Sequence, residues 1–386
     1  MTLEELNILC TDDVRRAIAE NRGRDPLAVA LDSHVPHAAA VATQVKYLAR
    51  AESKLPSYAA AGCILPSLAF EQSSSETCAA RRYGRGRAAL DLTCGLGVDT
   101  YYASRRFDRV VALERDEITA AVARENFRRL GAANIEVICA SAEEYLKGCG
   151  EEFDVIYADP DRRSQSGRKM VCLEDCSPDM AALLPEISRC GRQLAVKLSP
   201  MFDVDEAFAR FGEALVEAVS LGGECKEVNV VCDGGPARIS AVAITAAGEQ
   251  CEATFARGDS AGMLSTGPFD ADRWRYLGVP DAALRKARLV ARTLGGRADV
   301  RSQTGFVFAD EPLEGVPCRW HRIASIEPYN PKQLRRRLHG LRVEILRRDF
   351  PQSTAEICRA CGIREGGDIR AAFTRIGDSR LFIMLE

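Results

Sequence analysis

The chain has 386 residues, of which 46% are hydrophobic and 28% are charged, which is ordinary composition for a globular protein. This length exceeds one ordinary core and predicts two to four domains. No apolar run reaches the roughly 18 to 20 residues that span a bilayer, and no basic segment followed by an apolar one opens the chain. We therefore expect neither a membrane protein nor a signal peptide.

Fifteen cysteines are spread over the whole chain. An odd number at this length and spacing is not typical of a secreted disulfide framework, so we interpret them as buried, reduced thiols of a cytoplasmic protein. The single Cys-x-x-Cys pair, Cys358 and Cys361, occurs in a chain with only four histidines. Because a structural zinc usually needs two such pairs or added histidines, no metal is expected.

Charge is distributed unevenly along the chain. The formal net charge is −3, but residues 271–386 hold 22 Lys and Arg against 14 Asp and Glu, a net +8, whereas residues 1–270 carry −11. A basic C-terminal part on an acidic body is typical of proteins that bind polyanions, although a solvated basic surface gives the same count.

Hydrophobic periodicity predicts the elements in chain order. Residues 1 to about 58 are predicted to be helical, including a long helix over 38–51. From residue 88, short apolar runs alternate with helical segments. The predicted strands are 88–92, 110–114, 135–139, 153–159 and 193–198, and a helix is predicted over 118–130. Strands that alternate with helices predict an α/β fold with a parallel, doubly wound, Rossmann-like sheet.

Beyond residue 215 the pattern is richer in strands. We predict strands over 224–232, 237–246, 301–308, 318–326 and 381–385, and helices over 280–294, 331–341 and 353–361. The first two strands, joined by a Gly234-Gly235-Pro236 turn, are expected to be the last, antiparallel strands of the sheet. The predicted division is a helical N-terminal domain (1–85), a Rossmann-like domain (86–235) and two C-terminal α+β modules (236–320 and 321–386).

A glycine-rich turn follows the first predicted strand of the sheet. Glycine lets the backbone approach a ligand closely, and the next helix offers free N–H donors at its N-terminus. The third glycine of a dinucleotide-binding loop is replaced by Thr100, which favours a cofactor without a pyrophosphate. The residues that we assign to cofactor binding in this turn are Asp91, Thr93, Gly95, Gly97, Asp99 and Thr100.

Three further strand ends carry the partners that such a site needs. Glu114, followed by Arg115, stands 19 residues after Gly95, where a carboxylate can accept both ribose hydroxyls of an adenosine. Ser141 and Ala142 follow the third strand, at the position of the adenine edge. Asp159-Pro160 follows the fourth strand, where the reacting group would lie. The carboxyl ends of parallel strands share one rim of the sheet, so we expect these residues to converge.

Residues 88–163 resemble class I S-adenosylmethionine-dependent methyltransferases. Asp91, Gly95 and Gly97 match the methionine-binding loop of that family, Glu114 its ribose acid, and Asp159-Pro160 its motif after the fourth strand. The wider chain resembles a bacterial group, known from Bacteroidetes, that joins such a domain to a ferredoxin-like module (here 236–320) and a C-terminal THUMP-like domain (here 321–386). The stretches that match are 54–56, 71–76, 90–100, 159–163, 197–201 and 224–227.

The resemblance implies an enzyme that uses S-adenosylmethionine and, because THUMP domains bind RNA, an RNA partner. In related RNA methyltransferases a Ser/Thr-rich segment ahead of the glycine loop closes over the cofactor, so Gln72 and Ser75 are expected to contact its carboxylate. The alternative is that Ser74 or Ser75 only caps a helix.

The motif after the fourth strand admits more than one chemistry. In amino-group methyltransferases it is Asp/Asn-Pro-Pro-aromatic, from which Asp161 and Arg162 depart. Asp-Pro-x-Arg is similar to uridine C5 methyltransferases, which need a cysteine nucleophile after the fifth strand. This chain has no cysteine there, so Cys172 or Cys176 would have to move in. Methylation of a nitrogen is therefore favoured, with Asp159 and Pro160 as catalytic residues.

Basic and polar residues are predicted to hold the substrate. Arg162 and Arg163 could clamp a phosphate beside the target base, unless they pair with Asp161 or Glu174. Other predicted substrate contacts are Lys197, Ser199, Arg335 and Arg336. The last two belong to a basic helix whose buried side is predicted to be Leu334, Leu338 and Leu341.

These predictions together describe a cytoplasmic methyltransferase that acts on a base nitrogen of tRNA or rRNA. Two alternatives stay open. One is a methyltransferase of a protein or small molecule, and the other is a non-catalytic RNA-binding protein that retains the fold.

Overall fold

The computed structural model describes residues 1–82, 84–162, 173, 176–258 and 264–386, and the chain folds as two compact units. The first unit comprises Met1–Phe202 with Asn229–Gly235, and the second comprises Asp203–Val228 with Pro236–Glu386. This division is coarser than the four predicted domains, whose boundaries stay a prediction.

Helices occupy the N-terminal part of the first unit. They are α1 (Leu3–Cys10), α2 (Asp12–Glu20), α3 (Pro26–Ala30), α4 (Ala38–Lys54), α5 (Pro56–Ala60), α6 (Ser67–Gln72) and α7 (Glu76–Ala79). Their ends follow local sequence signals: Thr2 and Glu5 form a capping box at α1, and Pro56 occupies the first turn of α5. The long helix predicted over 38–51 is confirmed and continues to Lys54.

A parallel sheet forms the centre of the first unit. Its elements, in chain order, are β1 (Gly86–Asp91), α8 (Val98–Ser104), β2 (Phe107–Glu114), α9 (Glu117–Leu130), β3 (Ile135–Cys139), α10 (Ala142–Gly148), β4 (Val155–Ala158), the short pair β5 (Asp161–Arg162) and β6 (Cys176–Ser177), α11 (Met180–Cys190) and β7 (Leu194–Leu198). The strand order is β7-β4-β1-β2-β3, with parallel pairing throughout.

This strand order places a topological switch point beside β1. The chain moves from β1 outward through β2 to β3, and then returns to the other side of β1 with β4. In open α/β sheets, ligands bind at such a point, outside the carboxyl ends of the strands. The fold therefore creates a crevice where the glycine-rich turn and the end of β4 meet.

The N-terminal helices share a hydrophobic core with α9. Leu48, Tyr58 and Phe70 belong to the same buried cluster as Phe127 of α9. Asn126 of α9 is fully buried, and its side chain accepts a hydrogen bond from Ile64 N (2.7 Å) and donates one to Ile64 O (2.9 Å). The helical segment is therefore an integral part of the first unit.

The second unit begins with α12 (Val204–Phe211), β8 (Leu215–Leu221), β9 (Glu224–Cys232, whose residues are divided between the units), β10 (Arg238–Ile244) and β11 (Gln250–Ala256). The strand β8 was not predicted, and it lies between β9 and β10, so the expected neighbours are not adjacent. Residues Gly222 and Gly223, with φ of 61° and 84°, connect β8 to β9. The strand β10 pairs in parallel with β8 and antiparallel only with β11.

An eight-stranded sheet with four helices forms the rest of the second unit, as far as the structure describes it. In chain order the elements are β12 (Tyr276–Pro280), α13 (Ala282–Lys286), α14 (Val290–Leu294), β13 (Asp299–Val300), β14 (Val307–Ala309), β15 (Cys318–Pro328), α15 (Pro331–Leu338), β16 (Arg342–Arg347), α16 (Thr354–Cys361), β17 (Arg364–Glu365), β18 (Ile369–Ile376) and β19 (Ser379–Leu385). The sheet order is β13-β14-β12-β15-β19-β18-β16-β17.

Two predicted elements of this unit are wrong in detail. The helix predicted over 280–294 is two helices, because Arg288 adopts a left-handed φ of 57° between them. Of the strand predicted over 301–308, residues 301–306 form a loop between β13 and β14, and only residues 307 and 308 are extended, as the start of β14. In that loop Ser302 and Thr304 direct their hydroxyls to Asp349, 2.5 Å and 2.6 Å away. Across the described residues, no helix has the length and apolar character needed to cross a membrane.

We expect Asn126→Ala to destabilise the first unit, because it leaves the buried N–H and C=O of Ile64 without partners. Two unsatisfied buried groups cost about 2–6 kcal/mol. Calorimetric unfolding should show a transition at lower temperature, whereas the exposed Thr43→Ala variant of α4 should unfold like the wild type. An unchanged unfolding temperature for Asn126→Ala would mean that the hydrogen bonds between Asn126 and Ile64 contribute little to stability.

Candidate active site

A cavity of about 650 Å³ opens at the switch point of the first unit. Its wall is formed by the residues that follow β1, β2, β3 and β4, with a contribution from α6 and the turn after it. Pockets that bury small ligands and cofactors are typically about 300–1,000 Å³ in volume. The cavity is therefore large enough for a nucleoside-sized cofactor.

The two glycines of the turn after β1 serve different purposes. Gly97, with φ of 85°, caps α8, and a Cβ placed on it would lie 2.8 Å from Cε1 of Phe127. Gly95, with φ of 53°, lines the cavity, and a Cβ on it would meet no heavy atom within 4 Å. Gly97 thus permits close packing on α9, whereas Gly95 keeps the backbone open towards a ligand.

Asp91 and Thr100 lie behind the turn and do not line the cavity. Both are buried, and the Asp91 carboxylate accepts hydrogen bonds from Thr100 Oγ1 (2.5 Å) and from Thr93 N (2.9 Å). Burial raises the pKa of Asp91 to about 6, although these hydrogen bonds oppose the shift. Among Asp91, Thr93 and Thr100, only Thr93 lines the cavity. Asp91 and Thr100 instead stabilise the conformation of the loop.

Glu114, at the end of β2, presents its carboxylate to the cavity. Its two oxygens accept hydrogen bonds from Gly95 N and Asp116 N, both at 2.9 Å. These two backbone donors fix the carboxylate at the place where ribose hydroxyls are expected. Arg115, next to it, also lines the cavity and donates a hydrogen bond to Ser177 Oγ (2.7 Å).

The loop after β3 closes the far end of the cavity. Ser141 caps α10, with its hydroxyl 3.2 Å from Glu144 N, and Ala142 is buried beside it. Both residues line the cavity, as expected for the wall against an adenine ring.

Asp159, at the carboxyl end of β4, lines the cavity with a side chain that is 32% exposed. Its carboxylate forms an ion pair with Lys197 of β7, and its backbone N–H donates to Thr93 Oγ1 (2.7 Å). Lys197 does not line the cavity, so the structure places it as a partner of Asp159. Pro160 is half-buried next to Asp159, and Asp161 also lines the cavity.

A buried polar network continues behind Asp159. Lys197 Nζ donates to Ser74 Oγ (3.1 Å), and Ser74 Oγ donates to Asp99 Oδ2 (2.8 Å). Arg82 forms an ion pair with Asp99 and donates to Tyr157 OH (3.1 Å). Asp99, which was predicted to bind cofactor, lines the cavity but is held by these two neighbours. Sequence reasoning missed Ser74, Arg82 and Tyr157 as site residues; the serine-rich segment was the one available signal.

Of the other predicted site residues, some line the cavity, some lie off its wall, and some fall outside the described residues. Gln72 lines the cavity, whereas Ser75 caps α7 through Cys78 N (3.3 Å) and does not line it, in agreement with the helix-cap alternative. Ser199 is half-buried, with its Oγ 3.2 Å from Met201 N, and also lies off the cavity wall. The predictions for Arg163, Cys172, Glu174 and the side chain of Arg162 lie outside the described residues.

The basic helix of the second unit has the predicted sides except at Leu341, which was expected to be buried but is exposed, because α15 ends at Leu338. Leu334 and Leu338 of α15 are buried, while Arg335 and Arg336 are exposed. Their neighbour Arg337 is exposed as well, but it pairs with Glu327 at 2.6 Å. Arg335 and Arg336 are therefore exposed to solvent.

Comparison with known proteins is consistent with this site. A methyltransferase-domain family model matches residues 89–190, and a THUMP domain-like model matches residues 318–386. An uncharacterized S-adenosylmethionine-dependent methyltransferase of Mycobacterium tuberculosis is 26% identical over 323 residues, which cover 81% of this chain and 85% of that protein.

Two further similarities are narrower in what they show. Ribosomal RNA small subunit methyltransferase J of Coxiella burnetii is 31% identical over 111 residues, which cover 24% of this chain and 44% of that enzyme. The crystal structure of a candidate methyltransferase from Porphyromonas gingivalis superposes with a TM-score of 0.81 and 24% identity over 96% of both chains. At this identity the superposition shows a shared fold.

The chain is a methyltransferase with a Rossmann-like catalytic domain and a C-terminal THUMP-like domain. More particularly, it is an S-adenosylmethionine-dependent enzyme. The predictions of fold class, enzyme class and cofactor are confirmed, while the ferredoxin-like module over 236–320 stays a prediction. The described residues fit the cofactor, because the cavity side of Gly95 is open and the Glu114 carboxylate is held beside it.

We expect Glu114→Ala to weaken S-adenosylmethionine binding at least about tenfold, because a charged acceptor for hydroxyl donors is lost. Titration calorimetry on the full chain measures the dissociation constant. Glu117→Ala, which removes an exposed carboxylate at the start of α9, is the matched control and should bind like the wild type. Equal affinity of both variants would place the ribose elsewhere.

The buried carboxyl of Asp91 predicts a pH dependence of stability. Its folded pKa of about 6 lies above its ordinary value of 3.8, so the folded state binds this proton more tightly than the unfolded chain. The resulting stability is present at low pH and is lost as pH rises through 6. Relative to Asp91→Asn, the free energy of unfolding of the wild type should fall by roughly 1–2 kcal/mol between about pH 5 and 7.5. Calorimetry at several pH values checks this, and a constant difference would contradict it.

Proposed function

We propose that this methyltransferase methylates a base nitrogen of RNA, in tRNA or rRNA. The observation that carries the proposal is the position of Asp159: a partly exposed carboxylate on the wall of the cofactor cavity, at the end of the strand next to the glycine-rich turn. A carboxylate there can accept a hydrogen bond from an N–H of the acceptor base.

For this reaction the protein needs to supply little covalent chemistry. S-adenosylmethionine, when bound, supplies an activated methyl group, so alignment of donor and acceptor is the main task. The Asp159 carboxylate orients the target N–H and stabilises the positive charge that develops on the nitrogen during transfer. Lys197 and Thr93 hold Asp159 in place from two sides, through its carboxylate and its backbone N–H.

Three observations support RNA as the substrate class. The THUMP domain-like match covers residues 318–386, and the Coxiella burnetii relative is named as a ribosomal RNA methyltransferase. Arg335 and Arg336 expose their guanidinium groups on α15, and arginines of this kind neutralise backbone phosphates.

Asp161 lines the cavity in place of the second proline of the amino-methyltransferase motif, so stacking on the base would have to come from another group. A cytoplasmic location is part of the same proposal.

The test is methyl transfer from labelled S-adenosylmethionine to tRNA and rRNA taken from cells that lack the gene. Nucleoside digestion and mass spectrometry identify the methylated base and atom. Asp159→Ala should lower turnover at least about a hundredfold, because transition-state stabilisation is lost, and cofactor affinity should stay within about tenfold. The exposed Asp108→Asn variant of β2 should retain full activity.

Each alternative has its own signature in this assay. Transfer to a protein or small molecule without RNA affinity would replace RNA as the substrate class. Binding of both cofactor and RNA without any transfer would indicate a non-catalytic protein. Loss of cofactor binding in Asp159→Ala would move this residue from the acceptor to the cofactor.

A further inference from the structure

Three arginines of the second unit surround the end of β12. Arg319 of β15 is the register partner of Val279, and the Nε of Arg285 donates to Pro280 O at 3.3 Å. Arg348 follows β16. Its neighbour Asp349 accepts a hydrogen bond from Ser302, which lies in the loop before β14, so Arg348 lies next to that loop. Because β14 pairs with β12, that loop lies next to the end of β12.

None of these three arginines forms an ion pair with a carboxylate within the part of the chain that the structure describes. Arg285 and Arg348 are half-buried, and the Nε of Arg348 is fully buried without a hydrogen-bond partner. The nearby carboxylates are engaged elsewhere. Asp349 accepts the Ser302 and Thr304 hydroxyls at 2.5 Å and 2.6 Å, and Asp281 caps α13 and accepts the Ser220 hydroxyl.

Burial acts on Arg285 and Arg348, and at Arg348 the repulsion of neighbouring arginines acts in the same direction. Burial lowers the pKa of Arg285 and, together with the charges of Arg285, Arg347 and Arg319, lowers the pKa of Arg348. The charges of Asp281 and Asp349 oppose these shifts only in part. Desolvated like charges are costly unless an opposite charge compensates them. The planar fork of arginine suits a tetrahedral oxyanion, to which it can donate two hydrogen bonds at once.

We propose that Arg285, Arg319 and Arg348 form a binding site for a phosphate-class oxyanion. The two sources of that chemistry are a phosphate of an RNA backbone and a small free phosphate compound. The first would deepen the function proposed above, whereas the second would be independent of it. The site does not rest on methyl transfer, since all three residues lie in the second unit.

The experiment titrates the full chain with inorganic pyrophosphate and, separately, with a short oligouridylate, at ionic strength held constant with chloride. We expect saturable binding of at least one probe and a higher unfolding temperature in its presence. Arg285→Gln and Arg348→Gln should each weaken this binding at least about tenfold. Arg359→Gln, which removes an exposed arginine of α16, is the matched control and should bind like the wild type.

The two probes distinguish an RNA phosphate from a small phosphate compound. Weaker oligouridylate binding in Arg348→Gln assigns the site to an RNA phosphate, and an effect confined to pyrophosphate assigns it to a small compound. The double variant Arg335→Gln, Arg336→Gln should weaken only oligouridylate binding, which keeps failure of the RNA proposal distinct from failure of this one. Arg348→Lys, which keeps the charge but loses the fork, should fold normally and bind at an intermediate strength.

Two results would overturn the proposal. One is the absence of saturable binding of either probe to the wild type. The other is an equal loss of binding in Arg359→Gln and Arg348→Gln, which would show non-specific attraction to a basic surface.

Discussion

The buried ion pair between Arg82 and Asp99 is the interaction on which the catalytic unit depends. It joins the segment ahead of β1 to the first turn of α8, directly after the glycine-rich loop. A buried charge pair is tolerated only when further hydrogen bonds satisfy it, and Ser74 and Tyr157 provide them. Through Ser74 and Lys197 the same network reaches Asp159. The loop that shapes the cofactor cavity and the Asp159 carboxylate on the cavity wall are thus held by one set of contacts.

This network also explains why the N-terminal helices belong to the catalytic unit. Ser74 lies between α6 and α7, and the buried Glu76 beside it accepts hydrogen bonds from Ser57 and Tyr102. The helical segment therefore fixes the wall of the cavity that contains Gln72, opposite the strand ends. Its hydrophobic core continues into α9, so displacement of these helices would also disturb the packing beneath Gly97.

The sequence was informative where the signal is local. The strands β1, β2, β4 and β7 are largely buried and appear as short apolar runs, and the edge strand β3 is only partly buried but is still rich in apolar residues, so all five could be predicted. Glu114 and Gly95 could be assigned because their spacing follows the β-α-β unit. Arg82 and Tyr157 could not, because their pairing connects positions 75 residues apart and has no local pattern. The break between α13 and α14 was not predicted, because the left-handed backbone conformation of Arg288 does not change the hydrophobic periodicity.

The charge distribution constrains how the proposed RNA substrate would be bound. Residues 1–270 carry a net −11 and as a whole repel a polyanion, so the net +8 of residues 271–386 is the source of attraction. Several acidic residues line the cavity, among them Glu114, Asp159 and Asp161, which suits hydroxyl and amine donors rather than phosphates. Under the proposed function, the base is the part of the substrate that suits this cavity, whereas phosphates suit arginines. In that proposal, phosphate contacts would supply affinity and base contacts at Asp159 would supply specificity.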